Sequence, residues 1–417
     1  MKTLHITNAY HGTSGGIRTF YQALLAAANQ HRREVVLVAP AARTSTREVG
    51  SYGRIEFVAA PRAAAFDRRY RVMLPSQYLA GPRSPLVQVL ARERADVVEI
   101  CDKYSLCYLA AVLRKRWYAA VPRPTLVGLS CERFDDNIAA YVSGAPAANA
   151  FTKWYIRNIY GPPFDVHIAN SQYTAAELRR ALHDRPPGFI RVCPMGVDVD
   201  GFDPSLRSDG TREELLWQAG GRAHSVLVLY AGRIAPEKNI ELLVDTLRVL
   251  VSDGGADFRL VVAGDGPRAP WLRAQARGTL RNRILLLGNV DRAELATIYA
   301  SCDVFVHPNP REPFGIGPLE AMASGVPVVV PDSGGVLEYA SDANAWPARP
   351  SADAFACAVR RALAGDPDRI ASAATTARSF SWTRITRQFF DLYDELNDQQ
   401  KSRRGSTTPA AVPTCVA

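Results

Sequence analysis

The chain has 417 residues, of which 47% are hydrophobic and 22% are charged, and its formal net charge is +9. This composition is typical of a globular protein with room for two domains, and it excludes a disordered or collagen-like chain. No apolar run approaches membrane-spanning length, and the N-terminus reads as a strand rather than a signal peptide, so we expect a cytoplasmic protein. The seven cysteines are scattered without a C-x-x-C pair. Reduced thiols are therefore favoured over disulfides or a zinc site.

The positive charge favours anionic ligands, such as a nucleotide diphosphate or an anionic membrane that carries a lipid acceptor. Nucleic acid is the competing partner, but no RNP, KH or helix-turn-helix pattern supports it, and we expect none to bind. Residues 114–118 and 153–157 are basic and aromatic. They fit either a peripheral contact at the inner face of a membrane or amphipathic helices with a packed aromatic face. We favour the helices, because neither run is a long basic amphipathic helix.

Strands and helices alternate through the first half of the chain. Residues 3–8 predict a strand that leads into a loop with Gly15 and Gly16, and residues 17–29 then show helical spacing. Further strands are predicted at residues 34–39, 55–59, 97–100, 125–129, 165–169 and 190–193. One helix is predicted to begin at the capping pattern of Thr174 and Glu177. This alternation predicts a parallel, doubly wound sheet, with residues 61–85 as a surface loop that could meet an acceptor.

The second half repeats the alternation after a polar, proline-containing linker that extends to about residue 209. Asp198 and Asp200 spell D-x-D there, but so short a pattern recurs by chance, and we predict no metal site. A helix with a capping box of Thr211 and Glu214 follows. Strands are predicted at residues 226–230, 258–263, 284–287, 304–306 and 326–330. Helices are predicted at residues 352–363, 370–379 and 381–396, with a turn at 366–368 and a disordered tail at 400–417.

An anion site is predicted where the strand at 304–306 runs into a glycine-rich loop. Pro318 can open the helix that follows, and Gly325 can close it. The backbone N–H groups of residues 314–317 would then point out of a helix N-terminus, where unpaired amides and the helix dipole favour negative charge. His307, at the end of the strand, is interpreted as a structural residue.

Two cations and two carboxylates lie around this region. Arg233 and Lys238 follow the strand at 226–230, where ligands of open α/β sheets bind, and they suit a diphosphate. A surface salt bridge, for example between Glu237 and Lys238, is the alternative. Glu312 and Glu320 bracket the glycine-rich loop. They could bind sugar hydroxyls, or they could be a solvated loop charge and a helix-capping residue.

The glycine-rich loop is part of a longer sequence motif. E-x-F-G-x-x-x-x-E runs from Glu312 to Glu320, A-M-A-x-G-x-P-V-V occupies residues 321–329, and G-G-x-x-E ends at Glu338. The sequence thereby resembles the retaining nucleotide-sugar glycosyltransferases of family four, also called group 1. The resemblance implies an α/β chain of GT-B architecture, in which two Rossmann-like doubly wound parallel-sheet domains face a central cleft. The acceptor-side domain would span residues 1–205 and the nucleotide-sugar domain 206–380, with the helix at 381–397 packed back on the first domain.

The resemblance also implies roles for individual residues. Arg233 and Lys238 match the diphosphate clamp G-R-x-x-x-x-K and would be catalytic together with Glu312, which would hold the sugar hydroxyls. Glu320 would hold the donor ribose. The other predicted donor contacts are Gly15, Gly16, Ser130, Gly232, Gly264, Val290, Phe314, Gly315, Ile316 and Gly317. Many members carry a histidine where this chain has Ser130 or Cys131, which leaves the identity of the sugar open.

The implied reaction moves a hexosyl group from a UDP-sugar or GDP-mannose to a hydroxyl of a glycan, lipid-linked or small-molecule acceptor. The anomeric configuration would be retained, and neither a metal nor another cofactor is expected. Two alternatives share the fold. A GT-B epimerase would need further acid–base residues that the sequence does not reveal, and a non-catalytic sugar-nucleotide-binding protein would be expected to lose the clamp or the paired glutamates.

Overall fold

The computed structural model describes residues 1–11, 15–63, 70–141 and 145–405. An eight-stranded sheet forms the centre of the first domain. Its strands are β1 (Lys2–Thr7), β2 (Glu34–Ala41), β3 (Ser45–Val49), β4 (Gly53–Ala59), β5 (Val97–Cys101), β6 (Thr125–Ser130), β7 (Val166–Ala169) and β8 (Ile190–Val192). They are arranged in the order β3-β4-β2-β1-β5-β6-β7-β8. All neighbouring strands are parallel except β3, which pairs antiparallel with β4.

Helices connect the strands of this sheet. They are α1 (Gly16–His31), α2 (Ser76–Leu79), α3 (Pro85–Glu93), α4 (Cys107–Arg114), α5 (Phe134–Tyr141), α6 (Ala145–Tyr155), a π-helical turn (Ile156–Tyr160) and α7 (Gln172–Ala181). The sheet is buried on both faces, because Val35, Leu37 and Ala39 belong to one hydrophobic cluster while the intervening Val36 and Val38 belong to another. Such continuous apolar strands are typical of a parallel sheet covered on both sides.

A six-stranded parallel sheet forms the centre of the second domain. Its strands are β9 (Val226–Ala231), β10 (Phe258–Ala263), β11 (Ile284–Gly288), β12 (Val304–Val306), β13 (Val328–Pro331) and β14 (Trp346–Ala348). The order is β11-β10-β9-β12-β13-β14, so the direction of winding reverses between β9 and β12. In doubly wound sheets, ligands bind outside the carboxyl ends of the strands at this reversal.

The helices of the second half are α8 (Asp209–Gln218), α9 (Ile240–Ser252), α10 (Ala269–Arg277), α11 (Arg292–Ser301), α12 (Ile316–Ala323), α13 (Ala352–Leu363), α14 (Pro367–Ser379) and α15 (Trp382–Gly405). The last of them, α15, packs on the first domain. The ring of Phe389 lies 4.8 Å from that of Phe20 in α1. The Tyr393 hydroxyl donates to the buried carboxylate of Glu99, which also lies 2.9 Å from His5 Nδ1. Strand β1 and helix α15, the first and last described elements, therefore lie in the same domain.

The two crossings between the domains lie side by side. Val197 N donates to the carbonyl of Phe380 at 2.8 Å, and Trp382 N donates to the carbonyl of Val197 at 3.0 Å. Phe202, expected in a linker, is fully buried with its ring 5.4 Å from Tyr299 of the second domain. Phe202 therefore anchors the polar stretch that was expected to be a linker to the core of the second domain. The linker is shorter than predicted for this reason.

Several predicted helix boundaries were wrong. The capping residues are Ser171 and Ser208, which accept from the N–H groups of Thr174 and Thr211, so the two threonines lie inside the first turns. Both sites have the sequence S-x-x-T, and the prediction assigned the cap to the threonine instead of the serine. Residues 366–368 begin α14, with Pro367 in its first turn, instead of forming a separate turn. Helix α15 continues to Gly405, because the polar residues after 396 are good helix formers.

The basic-aromatic stretches only partly match the favoured interpretation. Each has one buried tyrosine, Tyr118 or Tyr155, and one exposed tryptophan, Trp117 at 67% and Trp154 at 53%. Helix α4 ends at Arg114, so residues 115–118 follow the helix instead of forming it. Among the described helices, none combines the length and the apolar character that a membrane span requires. Residues 64–69 of the expected acceptor loop, residues 12–14 of the first glycine-rich loop and residues 406–417 of the tail lie outside the described part.

Candidate active site

The carboxyl ends of β9 and β10 meet at two glycines. Gly232 has φ 151° and Gly264 has φ 147°, a region that residues with side chains rarely adopt. A Cβ atom on Gly264 would lie 1.9 Å from the carbonyl oxygen of Gly232. Glycine is therefore required for these loops to touch, and their contact brings the segment after β9 to the edge of the cleft.

Lys238 and Glu312 form an ion pair at this edge. Lys238 Nζ donates to Glu312 Oε2 at 2.8 Å and to Oε1 at 3.0 Å, although the residues are far apart in sequence. Asn309 Nδ2 donates to Glu312 Oε2 at 3.0 Å, and His307 Nε2 lies 3.3 Å from the same oxygen. His307 thus contacts a predicted catalytic residue, which its position at a strand end did not reveal.

The partners of Glu312 set its ionisation. Burial alone would raise the pKa of this carboxyl group, but the Lys238 ammonium and His307 outweigh burial and hold the pKa well below its usual range. Glu312 is therefore a carboxylate throughout the pH range of ordinary assays. The alternative of a solvated loop charge does not hold, since only 10% of its side chain is exposed.

Arg233, in the same segment after β9 as Lys238, lies under an aromatic ring of the first domain. Its guanidinium carbon is 5.4 Å from the centroid of the Tyr70 ring, which stacks on His11 at 3.8 Å. Arg233 Nη1 also lies 3.5 Å from Glu237. Glu237 therefore lies beside Arg233, whereas the partner of Lys238 is Glu312. The sequence pointed to an acceptor loop around Tyr70 but did not identify this residue or His11.

The glycine-rich loop runs into α12 as a helix start. Gly315 caps the helix with φ 84°, and Ile316 is its first residue, so Pro318 lies two residues further in than predicted. A Cβ atom on Gly16 would lie 3.1 Å from Ile316 Cδ1, which places the first glycine-rich loop against this helix start across the cleft. The Phe314 ring is buried 5.3 Å from Tyr339, so Phe314 has only its backbone to offer a ligand.

Glu320 is held by side chains that sequence reasoning missed. Tyr299 donates its hydroxyl to Glu320 Oε2 at 3.2 Å, and Arg292 Nη1 donates to Oε1 at 3.4 Å. Burial raises the pKa of Glu320 in spite of these two partners. Arg292 Nε also lies 3.4 Å from Asp198, the first residue of the dismissed D-x-D pattern. The capping alternative is wrong, because the carboxylate binds side chains deeper in the structure.

The remaining predicted donor contacts are more scattered. Ser130 is fully buried, and its hydroxyl donates to the carbonyl of Glu132 at 3.3 Å, so the structure does not bring it to the cleft. As the last residue of β6, it turns its side chain into the domain. Gly15 caps α1 and is exposed, Gly317 follows Ile316 in α12, and Val290 follows β11 and is partly buried. Within the described ranges, no group of three or more His, Cys, Asp or Glu residues is arranged to hold a metal ion.

Comparisons with known proteins agree with this architecture. The family model Glycosyltransferase Family 4 matches residues 14–200, and the family model Glycosyl transferases group 1 matches residues 211–378. The sucrose-phosphate synthase of Thermosynechococcus elongatus is a structural neighbour with a TM-score of 0.77 and 19% identity, over 96% of this chain and 100% of that one. The neighbour and the two sheets confirm the predicted two-domain GT-B fold.

Sequence relatives extend over nearly the whole chain. A GDP-mannose-dependent alpha-(1-6)-phosphatidylinositol dimannoside mannosyltransferase of Mycobacterium tuberculosis is 28% identical over 92% of this chain and 93% of its own. A GDP-mannose-dependent alpha-mannosyltransferase of Mycolicibacterium smegmatis is 38% identical over 62% of this chain and 61% of its own. Together with the two family models, which between them match most of both domains, these relatives show that the chain belongs to the group 1 glycosyltransferases of family four and is a nucleotide-sugar glycosyltransferase.

Proposed function

We propose that this enzyme transfers a mannosyl group from GDP-mannose to a hydroxyl group with retention of configuration and without a metal ion. The observation that carries the proposal is the ion pair of Lys238 and Glu312, at the point where the winding of the second sheet reverses. Ligands of doubly wound sheets bind at this point, so Lys238, the Glu312 carboxylate and Arg233, which also follows β9, support binding of a sugar diphosphate there. The choice of GDP-mannose is supported by the two mannosyltransferases above, whose names specify that donor.

The charges suit the departure of a nucleoside diphosphate. As the glycosidic bond breaks, negative charge grows on the leaving phosphate oxygen and positive charge grows on the sugar. Arg233, Lys238 and the N-terminal amides of α12 would stabilise the negative charge, a task that fixed charges perform without reorganisation. Glu312 remains ionised and would stabilise the positive charge on the sugar. Together these groups would stabilise both the negative and the positive charge that develop during the reaction, so the proposed mechanism needs no metal.

Retention is proposed from the family resemblance, and the way in which Glu312 is held is compatible with a retaining mechanism that uses no enzyme nucleophile. Lys238, Asn309 and His307 surround its carboxylate, so it is poorly disposed to attack the sugar as a nucleophile. A front-face substitution needs no such nucleophile, because the acceptor hydroxyl loses its proton to the departing phosphate on the same face. The acceptor would approach from the first domain beside Tyr70 and His11. We propose a glycan or lipid-linked acceptor, since the mycobacterial relative is named for a phosphatidylinositol dimannoside.

Thermal unfolding with a panel of sugar nucleotides tests the donor. GDP-mannose should raise the melting temperature most, while UDP-glucose should raise it less at the same concentration. Arg233→Ala should abolish most of the shift. Arg248→Ala is the matched control, because Arg248 is a surface residue of α9 paired with Asp245. A larger shift with UDP-glucose, or an unchanged shift in Arg233→Ala, would refute the proposed donor or the clamp.

Product analysis tests the stereochemistry. With GDP-mannose as donor and a mannoside acceptor, proton NMR of the product should show an α-mannosidic bond, the configuration of the donor. A β-linked product would overturn the front-face mechanism. Donor binding without any transfer or hydrolysis would instead favour the non-catalytic alternative.

A further inference from the structure

The carboxylate of Glu338, in the second domain, lies against the first turn of α7, in the first domain. The backbone N–H of Gln172, the first residue of α7, donates to Glu338 Oε2 at 2.7 Å. The adjacent Ser171 hydroxyl donates to the carbonyl of Pro313 at 2.6 Å. Both bonds cross from one domain to the other. The start of α7 is therefore attached to the second domain at two neighbouring points.

The same turn of the second domain contacts the loop of Glu312. Gly335 N donates to the carbonyl of Glu312 at 2.6 Å. A Cβ atom on Gly335 would lie 1.9 Å from the carbonyl oxygen of Pro313, so only glycine fits there. Glu338 follows in the same 3-10 turn, Gly335–Glu338. A contact made by Glu338 is thus transmitted to the backbone of Glu312 through one tight turn.

The contact also satisfies the helix start. The first N–H groups of a helix have no partner within it, and the positive end of the helix dipole favours a carboxylate. Ser171 Oγ accepts from Thr174 N at 3.1 Å, which satisfies one of these groups. Glu338 accepts from Gln172 N, so a residue of one domain completes the cap of a helix in the other.

We propose that Glu338 is a positioning residue for glycosyl transfer, which docks α7 on the loop of Glu312 and so couples closure of the two domains to the placement of the Glu312 carboxylate. This rests on the proposed position of Glu312 at the donor sugar. The docking explains the G-G-x-x-E motif, whose last residue had no assigned role. Its glycines let the turn lie on the loop, and its glutamate reaches the opposite domain.

Substitutions on both sides of the bond test the docking. Gln172→Pro removes the donor N–H, while proline is well tolerated at the first position of a helix and the extended backbone of Ser171 (φ −161°, ψ 164°) suits a residue before proline. Gln172→Ala is its control, because it keeps the N–H. Glu338→Ala removes the acceptor, and Leu337→Ala is its control, because Leu337 is 45% exposed in the same turn.

We expect Glu338→Ala and Gln172→Pro each to lower kcat about tenfold, the scale of one charge-assisted hydrogen bond. The double variant should lower kcat no further, and both controls should match the wild type. Glu338→Gln should restore part of kcat, because it still accepts a hydrogen bond. Hydrogen–deuterium exchange on the full-length enzyme should increase both in the first turn of α7 and in residues 309–317 of Glu338→Ala, and in neither segment of Leu337→Ala.

Two results would overturn the docking role. One is a double variant whose loss of kcat is the product of the two single losses, about a hundredfold on this scale. The other is unchanged exchange at the start of α7 in Glu338→Ala. Failure of the proposed function would give a result different from either of these two. An unchanged kcat in Glu312→Gln would refute the position of Glu312 at the sugar, while the coupled increase in exchange would still support the docking.

Discussion

Replacing Lys238 by methionine keeps most of the side-chain volume and leaves Glu312 without its main counter-charge. The side chains of Lys238 and Glu312 are 23% and 10% exposed, so the orphaned carboxylate stays largely out of water. Asn309 and His307 remain as partners. We therefore expect a loss of about 1–3 kcal/mol in the free energy of unfolding, the cost of an unsatisfied buried group, and less than the loss of a fully buried pair. For a domain of this size, that corresponds to a decrease of roughly 3–10 °C in Tm.

The loss should depend on pH. In the wild type the pKa of Glu312 is held below its ordinary value of 4.5, so the pair contributes stability above that pH and loses it as the pH falls. The difference in Tm between the wild type and Lys238→Met should therefore be large at pH 7 and should shrink as the pH falls below 4.5. Differential scanning calorimetry at a series of pH values measures it.

A second substitution separates stability from catalysis. In Lys238→Met/Glu312→Gln the buried charge is gone, so most of the lost Tm should return. Turnover should remain about a hundred- to a thousandfold below the wild type, the usual cost of losing a preorganised charge stabiliser. Arg248→Met, on the surface, is the control and should change Tm by little. A single variant with normal turnover, or a double variant without recovery of Tm, would refute the described ion pair as the centre of the site.

Five further outcomes are expected. Turnover should survive excess EDTA, and a loss that Mg²⁺ or Mn²⁺ restores would refute the metal-independent mechanism. Glu312→Gln should mainly lower kcat, whereas Glu320→Gln should mainly raise the donor KM, as initial-rate kinetics would show; the reverse pattern would exchange their roles. Because the pKa of Glu320 is raised, the wild-type donor KM should begin to rise at a pH above the ordinary 4.5 as the pH falls, and Glu320→Gln should flatten that rise. Gly264→Ala should lower Tm markedly, since its Cβ atom would lie 1.9 Å from the carbonyl of Gly232, while Gly254→Ala, at the milder φ of 69° and with nothing within 4 Å, should cost less. Tyr70→Ala should raise the acceptor KM more than the donor KM, and Tyr70→Phe should restore it if the ring is what matters.

The buried strands were predictable because their sequence signal is local. Continuous apolar runs such as residues 304–306 predict a strand with correct bounds, since both faces of a parallel sheet are covered. Strand β3 (Ser45–Val49) was missed because it lies at the sheet edge and its residues are mostly exposed and polar. Strand β14 (Trp346–Ala348) was missed because it is short and contains a proline.

The partners of the site residues were not predictable from the sequence. Arg233, Lys238, Glu312 and Glu320 stand out through the motif. Nothing in the motif, however, indicates that Lys238 binds Glu312. Tyr299 and Arg292 reach Glu320 only because α11 and α12 lie next to each other. Ser130 was chosen at a position where the chain departs from the family, and its buried hydroxyl donates to the carbonyl of Glu132, a bond that the sequence did not indicate.

The hydrogen-bonded crossings at Val197 and Ser381 have a consequence for engineering. The chain passes into the second domain and returns from it at adjacent residues, so in topological terms the second domain is an insertion into the first. Such a domain can be exchanged through only two chain junctions, which lie next to each other. The hydrogen bonds from Ser171 to Pro313 and from Gln172 to Glu338 also join the two domains, although they lie far from the crossings in sequence. An exchange would have to preserve both partners of each bond, so these bonds are a third boundary. A chimera that respects all three boundaries would keep the hydrogen bonds between the two domains.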